Sequence, residues 1–289
     1  MTSAPNRALG IVVLWAALIG VSRSATPLPD SAVVSFTDGP AFSLVRGTQL
    51  YAAARGASVL PGDIIHTLPA SLLILELRSA NQVLAVAAIG PSSDVYWLGE
   101  ADHLTLAVLG GWIKVDTLAA GRNCPVEVQG LRLGATSDTG VFVMHVGAET
   151  DDVFHEQGTL WITVRHPDGD DPATPSTLNQ LIRRADTGPL QSSIGVDNRF
   201  IAELPVPFRD PLPTGIGANL RTTEPLLLRE VTYNDIANWL SAPRGWRRGF
   251  VRQFRARLTD PAFFQSMDAT MNMHPEWQPI LHPPPVHKP

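Results

Sequence analysis

The sequence contains a single cysteine, Cys124, so no intramolecular disulfide can form within the chain. A chain of 289 residues without disulfides must be stabilised by its hydrophobic core. The hydrophobic fraction of 44% is sufficient for such a core, and it excludes a collagen-like or wholly disordered chain. We expect Cys124 to behave as a small buried hydrophobic residue, because free cysteines are usually buried.

Charged residues are also scarce in this chain. They make up 17% of the sequence, whereas roughly 25% is usual for soluble proteins. A low charge fraction is typical of sheet-rich domains outside the cytoplasm. The formal net charge of -5 argues against a general nucleic-acid binder, so we predict no nucleic-acid partner.

The motifs of several common enzyme classes are absent. The sequence has no G-x-S-x-G nucleophile elbow, no H-E-x-x-H metal helix and no phosphate-binding P-loop. Gly215-Ile216-Gly217 lacks the third glycine of a dinucleotide-binding loop and follows Pro213 instead of a strand. The sequence therefore predicts a protein that is not an enzyme and binds no cofactor.

Residues 1–24 have the pattern of a secretory signal peptide. Arg7 provides the positive charge, and an uncharged apolar run from Leu9 to Val21 follows it. Ser22-Arg23-Ser24 places small residues before a cleavage site at Ala25. The run is shorter than the roughly 20 residues that span a bilayer, although an uncleaved anchor is the alternative. We expect a periplasmic or secreted protein whose mature chain has no transmembrane span.

The remaining chain divides into four regions by composition. Residues 25–166 have the pattern of short strands, and residues 167–229 are rich in proline. The proline-rich region predicts a linker or extended strap with at most one short helix, near Leu178 to Ala185. Residues 230–278 show helical periodicity, and residues 279–289 form a proline-rich tail that we expect to be extended or disordered.

Hydrophobic residues alternate with polar ones through most of the β region. The alternating positions are Leu73, Leu75 and Leu77; Leu104, Leu106 and Val108; Ile113 and Val115; Val126 and Val128; and Leu160, Ile162 and Val164. A period of two places such residues on one face of each strand. The pattern predicts a mainly β fold, an antiparallel β-roll or sandwich around one continuous core, followed by a small α-helical module.

Four segments of the β region occur in a distinctive order. Arg46-Gly47 and Leu50 precede Leu60–Thr67, which reads LPGDIIHT. Gly110–Val115 and Gly158–Val164 are later strands that begin with glycine. In this order the segments resemble the FecR domain, the periplasmic domain named for the ferric-citrate regulator. The resemblance covers less than half of the chain.

The resemblance implies a β-domain whose turns depend on Gly62, Asp63, Thr67 and Gly111. Gly62 can supply the positive φ of a type II turn, and Asp63 and Thr67 can hydrogen-bond to nearby backbone groups. We expect Gly110 and Gly111 to form a tight reversal between two strands. These residues are therefore predicted to be structural.

Family members with the full regulator layout resemble transmembrane relays. They carry a cytoplasmic anti-sigma segment, one membrane helix and this domain outside the membrane. Only six residues precede Arg7 in the present sequence. We therefore expect an exported form without the anti-sigma segment.

The C-terminal region predicts three short amphipathic helices. Thr232 is a candidate N-cap with Asp235 three residues later, and this helix should end before Pro243. A second helix is expected over Gly245 to Leu258. Asp260-Pro261 has the residues favoured at the start of a third. We expect the apolar faces to pack against each other or against the sheet.

The second helix is strongly basic within an otherwise acidic protein. Its arginines are Arg244, Arg247, Arg248, Arg252, Arg255 and Arg257. Guanidinium groups bind phosphates and carboxylates in bidentate geometry, so lipid head groups, envelope polymers or an acidic protein are candidate ligands. The alternative is a solvated face that pairs with the acidic linker.

Asp151, Asp152, His155 and Glu156 form the densest group of side chains that can ligate a metal. Asp151 and His155 would share one face of a strand. A solvated hairpin is the favoured interpretation, because generic Asp and His spacings lack the specificity of a structural metal site.

The function that these observations favour is a non-enzymatic interaction or regulatory module of the cell envelope. Its strand edges could bind an envelope protein by β-augmentation, with Trp97, Trp112 and Trp161 as candidate anchors. One alternative is a binder of anionic envelope polymer or lipid head groups through the arginines. The other is a small-molecule enzyme with Asp151, His155 and Glu156 in a pocket of the β-roll.

Overall fold

A computed structural model describes residues 31–39, 42–79, 82–98, 104–118, 125–216 and 220–283. The predictions for the signal peptide, for Cys124 and for the end of the proline-rich tail concern residues outside these ranges. Within them the chain is mostly antiparallel β-structure with a few short C-terminal helices, which confirms the predicted fold class.

The described residues contain eighteen strands. They are β1 (Ser31–Asp38), β2 (Phe42–Arg46), β3 (Gln49–Ala53), β4 (Ser58–Val59), β5 (Ile64–His66), β6 (Leu72–Ser79), β7 (Gln82–Ile89), β8 (Asp94–Trp97), β9 (Leu104–Asp116), β10 (Val126–Gln129), β11 (Leu133–Ser137), β12 (Gly140–Val146), β13 (Thr150–Gly158), β14 (Trp161–Val164), β15 (Thr174–Pro175), β16 (Gln180–Ala185), β17 (Gln191–Ile194) and β18 (Leu226–Glu230).

The helices of the described residues are all short. The α-helices are α1 (Asn198–Glu203), α2 (Tyr233–Leu240), α3 (Phe250–Phe254), α4 (Pro261–Ala269) and α5 (Gln278–Leu281). Single turns of 3₁₀ helix occur at Val206–Arg209, Arg255–Thr259, Met271–Met273 and Pro275–Trp277.

The strands form two sheet halves that share the long strand β9. Sheet I has the order β4-β1-β6-β7-β9-β12-β13-β16-β17, and all of its pairs are antiparallel. Sheet II has the order β18-β3-β2-β5-β8-β9-β10-β11-β14-β15, in which only the β9–β10 pair is parallel. The sheet is therefore continuous through β9 and curls so that its two halves enclose a core.

The expected tight reversal at Gly110-Gly111 is wrong, because β9 continues through both glycines. Gly111 has φ +98°, a conformation that L side chains rarely adopt. A Cβ atom at Gly111 would lie 2.2 Å from Ser93 Oγ. The strand thus bends at this residue, with the segment before it paired in sheet II and the segment after it in sheet I.

The central core lies between the two sheet halves and consists of the alternating residues. It includes Leu73, Leu75, Leu77, Leu104, Leu106, Val108, Ile113, Val115, Val126, Val128, Leu160 and Ile162, and the partly buried Val164 packs against it. Burying a side chain of this size contributes about 1.5–3 kcal/mol relative to leaving it exposed. The period-two prediction is confirmed for these strands.

The C-terminal third of the chain covers the outer face of both halves. Against sheet I lie Phe200, Phe208 and Leu212, which contact a second hydrophobic cluster on that sheet. Against sheet II lie the helices, whose Trp239 and Phe250 rings are 5.6 Å and 5.3 Å from the ring of Tyr96. The molecule therefore has four layers, and the outer apolar faces of both sheet halves are covered.

Within residues 167–229, which the sequence predicts to be a linker or extended strap, the short helix expected near Leu178 to Ala185 is wrong. Gln180–Ala185, where a short helix was expected, is strand β16 and pairs with β13. The helix of this region is instead at Asn198–Glu203, where the Asp197 side chain accepts a hydrogen bond from Phe200 N. Prolines interrupt the region, but they do not prevent the segments between them from extending the sheets.

The helical region follows the capping signals closely. Thr232 and Asp235 form the expected capping box of α2, and Asp260 caps α4 with Pro261 at its first position. The second helix is shorter than expected, since only Phe250–Phe254 is α-helical and a 3₁₀ turn follows it. The helical region also extends past residue 278 into the predicted tail, because α5 ends at Leu281, which is buried.

Candidate functional site

The three candidate tryptophan anchors have different environments. Trp97 is buried in the central core, so it cannot contact a partner. Trp112 is buried under the outer layer of sheet I, where it stacks on His145 at 4.1 Å and contacts Phe200. Trp161 has 45% of its surface exposed on β14. Of the three, Trp161 alone is accessible to another protein.

The residues of the Leu60–Thr67 segment form two hydrogen-bonded turns. Asp63 is buried and accepts hydrogen bonds from Arg46 Nη2 at 2.7 Å and Nε at 3.0 Å, and from Leu60 N at 2.8 Å. Gly62 has φ +93°, and Asp63 N donates to Leu60 O, as expected for a type II turn. Burial raises the pKa of Asp63, although the hydrogen bonds from Arg46 act in the opposite direction.

Thr67 closes the second turn of the motif. Its hydroxyl donates to Gly90 O at 2.6 Å and accepts from Ser93 N at 2.8 Å. The Ser93 hydroxyl in turn accepts from Trp112 N at 2.9 Å, next to the bend at Gly111. Gly62, Asp63, Thr67 and Gly111 thus lie at turns or bends of the β-structure.

The group Asp151, Asp152, His155 and Glu156 is divided between the two faces of β13. Asp151 and His155 are buried on the same side as Val153, which belongs to the central core, as the strand period predicts. Asp152 pairs with Arg183, and Glu156 accepts from Lys114 Nζ, under the outer layer of sheet I. The expected solvated hairpin is therefore wrong for these side chains.

The three carboxylates of this group, Asp151, Asp152 and Glu156, each pair with a basic side chain. Asp151 accepts from Arg132 Nη1 at 2.9 Å and from the backbone N–H groups of Arg132 and Leu133. Burial raises the pKa of Asp151 and of Glu156, while the hydrogen bonds to their basic partners lower it. In the described part of the chain, no group of three or more His, Cys, Asp or Glu side chains is arranged to hold a metal ion.

The six arginines of the basic segment divide into two structural and four exposed residues. Arg257 is buried, donates to Val231 O at 2.9 Å and pairs with Glu230 and Asp260. Arg247 is partly buried and pairs with Glu276. The exposed residues are Arg244, Arg248, Arg252 and Arg255. We call these four side chains the arginine ridge.

The edge strand β18 presents the most continuous exposed apolar sequence of the described residues. Leu226, Leu227 and Leu228 are 67%, 50% and 53% exposed. In the described residues β18 pairs only with β3, so its other edge has no strand partner. Sequence reasoning assigned this segment to the linker and missed it. Three successive leucines between Pro225 and Arg229 were the available signal.

A separate open cleft lies between sheet I and the proline-rich segment. Its volume is about 310 Å³, and its lining includes Phe36, Ile74, Phe208 and Leu212. Asp38 and Asp210 are the carboxylates among its lining residues. Asp151, His155 and Glu156 do not line this cleft.

None of the helices in the described ranges is both long and apolar enough to cross a bilayer.

Comparisons with known proteins identify no family for this sequence. No family model matches it, and no curated protein matches it. Among solved structures, the chain is similar to two crystal structures of a candidate anti-sigma factor from Parabacteroides distasonis, at 12% and 13% sequence identity. The TM-score is 0.39 in both cases, over 48% of this chain. The chain spans 62% of the length of those structures.

Proposed function

We propose that this chain is a non-enzymatic interaction module of the cell envelope that binds an extended segment of a partner protein along β18. The observation that carries the proposal is the edge of β18 that pairs with no other strand of the described residues, together with its three exposed leucines. Backbone hydrogen bonds at such an edge provide affinity, and the side chains provide selectivity.

The chemistry of β18 distinguishes it from the other sheet edges. Soluble proteins usually protect an edge strand with charges, proline or a very short length. Strand β15 is two residues long and contains Pro175, and β17 carries Gln191, Ser192 and Ser193 before Ile194. Strand β18 has a bulge at Leu228, yet its first three residues carry no charge. We infer that a partner covers them.

The leucines also provide binding free energy. Each is at least half exposed, so complete burial would contribute about 1 kcal/mol or more per side chain. Trp161 lies on β14 near the opposite edge of sheet II and is the remaining aromatic anchor candidate. A partner that binds along β18 therefore does not need to contact Trp161.

The experiment compares capture of envelope proteins by three forms of the chain. The wild type is compared with a Leu226→Lys/Leu228→Lys variant and with an Ile194→Lys control on the exposed edge strand of sheet I. We expect one protein to be captured by the wild type and by the control, and to be lost with the double variant. A photoreactive residue at Leu227 should cross-link to the same protein.

Two outcomes would contradict this proposal. Capture that survives the double lysine substitution would place the partner elsewhere on the molecule. A concentration-dependent dimer in size-exclusion chromatography that the double substitution abolishes would assign β18 to self-association instead.

We further propose that the module acts outside the cytoplasm, because residues 1–24 have the pattern of a signal peptide. N-terminal sequencing of exported material should begin at Ala25. An intact Met1 would contradict cleavage and would favour the anchored alternative.

A further inference from the structure

The arginine ridge is a charged surface that no carboxylate of the described residues neutralises. Within the described residues, Arg244, Arg248, Arg252 and Arg255 have no carboxylate within ion-pair distance, whereas Arg247 and Arg257 each do. The ion pairs of Arg247 and Arg257 therefore do not explain why four further arginines of this segment are exposed.

Pairing with the acidic proline-rich region does not explain the ridge. Asp170 lies 3.9 Å from Arg165 and Asp171 lies 3.3 Å from His166, and among the described residues no acidic side chain of this region forms an ion pair with the ridge. The ridge thus leaves four positive charges on the surface of a chain whose formal net charge is -5.

The four arginines lie on the exposed side of one segment that consists of turns and short helices. Arg244 and Arg248 lie in turns, Arg252 lies in α3, and Arg255 begins the 3₁₀ turn that follows α3. The opposite side carries Trp246, Phe250 and Phe254, which are buried against sheet II.

One end of the ridge forms a small concavity of about 190 Å³. It is lined by three arginines and one glutamate, together with Val251: Arg244, Arg247, Arg248 and Glu276. Arg247 Nε is buried and has no hydrogen-bond partner in the described protein. A tetrahedral phosphate group has enough oxygens to accept from several guanidinium groups at once, and a carboxylate has two.

We propose that the arginine ridge binds a linear polyanion that carries phosphate groups, independently of the protein partner proposed for β18. A linear ligand can contact exposed arginines that follow one another along a segment, with one concavity beside Arg244 and Arg248. A bilayer surface fits less well, because helices that bind bilayers also expose apolar side chains, and those of this segment are buried. Such binding depends on the release of counterions.

Inorganic polyphosphate is the probe for this surface. The full chain is titrated with it at 50 mM and 200 mM salt, and four phosphate contacts should weaken binding about 50-fold over that range. An Arg244→Gln/Arg248→Gln/Arg252→Gln/Arg255→Gln variant should bind at least tenfold more weakly at 50 mM salt. The substituted side chains are exposed, and circular dichroism should show an unchanged fold.

The control variant removes the same number of charges elsewhere. Its substituted residues are Arg184, Arg199, Arg209 and Arg221, each changed to Gln. This variant should bind polyphosphate within about twofold of the wild type, allowing for the general effect of net charge. An equal loss of affinity in both variants would overturn the proposal, because net charge alone would then explain the binding.

Two further ligands, polyglutamate and phosphatidylglycerol vesicles, test whether the ridge prefers phosphate groups on a linear polymer. Equally tight binding of polyglutamate would overturn the preference for phosphate. Binding that depends on the ridge and occurs with phosphatidylglycerol vesicles but not with polyphosphate would overturn the linear ligand and assign the ridge to a membrane surface. Failure of the β18 proposal would leave all of these measurements unaffected, since the ridge variant retains all three leucines.

Discussion

Asp63 is the residue at which the family-like motif has its clearest physical role. Its carboxylate holds the Arg46 side chain and the Leu60 N–H at the turn between β4 and β5. Its pKa is raised by burial despite these hydrogen bonds, so placing the charge inside the protein has a cost. We therefore expect the Asp63 carboxylate to fix the conformation of the turn, while its interactions add little to the net free energy of folding.

We expect Asp63→Ala to lower the free energy of unfolding by about 2–4 kcal/mol. The substitution would leave the Arg46 guanidinium partly buried without its carboxylate partner and the Leu60 N–H without an acceptor. Urea denaturation measures the effect, and Asp168→Ala at an exposed site should change stability by about 0.5 kcal/mol or less. An Arg46→Met/Asp63→Asn variant that is as unstable as Asp63→Ala would contradict this explanation.

The carboxyl group of Asp235, in the first turn of α2, makes the stability of the fold depend on pH. Burial raises the pKa of its carboxyl, but the hydrogen bonds from Arg229 and Thr232 together outweigh burial and lower the pKa to about 2 from 3.8. A carboxylate whose pKa is lower in the folded state stabilises the fold at pH values above the unfolded pKa. This contribution is lost as the pH falls from about 4 to about 2.

Asp235→Asn should therefore lose about 1–2 kcal/mol of stability near neutral pH and much less at pH 2. Urea unfolding at pH 6 and at pH 2 measures both values for the wild type and the variant. An equal difference between the two proteins at both pH values would show that the charge of Asp235 does not stabilise the fold.

At the scale of elements, the bend in β9 decides how the sheet halves face each other. Gly111 combines φ +98° with a backbone approach so close that a Cβ atom there would lie 2.2 Å from Ser93 Oγ. Gly110 has no such constraint, since its nearest neighbour would be 4.0 Å from a Cβ atom. Alanine substitutions at the two adjacent glycines can therefore be compared directly, with Gly110 as the control position.

We expect Gly111→Ala to destabilise the protein by about 3 kcal/mol or more, because the substitution combines an unfavourable φ with a steric clash. Gly110→Ala should cost about 1 kcal/mol or less. Thermal unfolding followed by circular dichroism compares the two variants. A smaller effect at Gly111 than at Gly110 would show that the bend tolerates a side chain.

At the scale of the whole molecule, the outer layers complete the hydrophobic core. The helices cover Val45, Leu50, Ile64 and Tyr96 on sheet II. The segment that contains Phe200 and Phe208 covers sheet I. A β-domain that ended at residue 166 would expose both surfaces and would also lose β16 from the edge of β13.

We therefore expect a fragment of residues 25–166 to bind a hydrophobic dye strongly and to unfold without a cooperative transition. The chain of residues 25–283 should unfold in a single cooperative transition and bind little dye. Dye fluorescence and urea denaturation distinguish the two chains. A cooperative transition in the short fragment would show that the inner core alone is sufficient.

The sequence alone determines the alternating strands, the turn at Gly62 and Asp63, and the caps at Thr232 and Asp260. These features depend on neighbours within a few residues, through the strand period, turn conformation and hydrogen bonds of helix ends. Local chemistry thus predicts the fold class and most of the elements.

The tertiary structure alone decides what becomes buried and what remains exposed. Residues 180–185 form a strand because β13 offers them an edge, and Trp112 is buried because Phe200 packs on it from about ninety residues away. The exposure of Leu226–Leu228 and of the arginine ridge likewise depends on which distant segments cover each face. Sequence periodicity specifies the faces of an element, but contacts between distant segments decide which of those faces meets solvent.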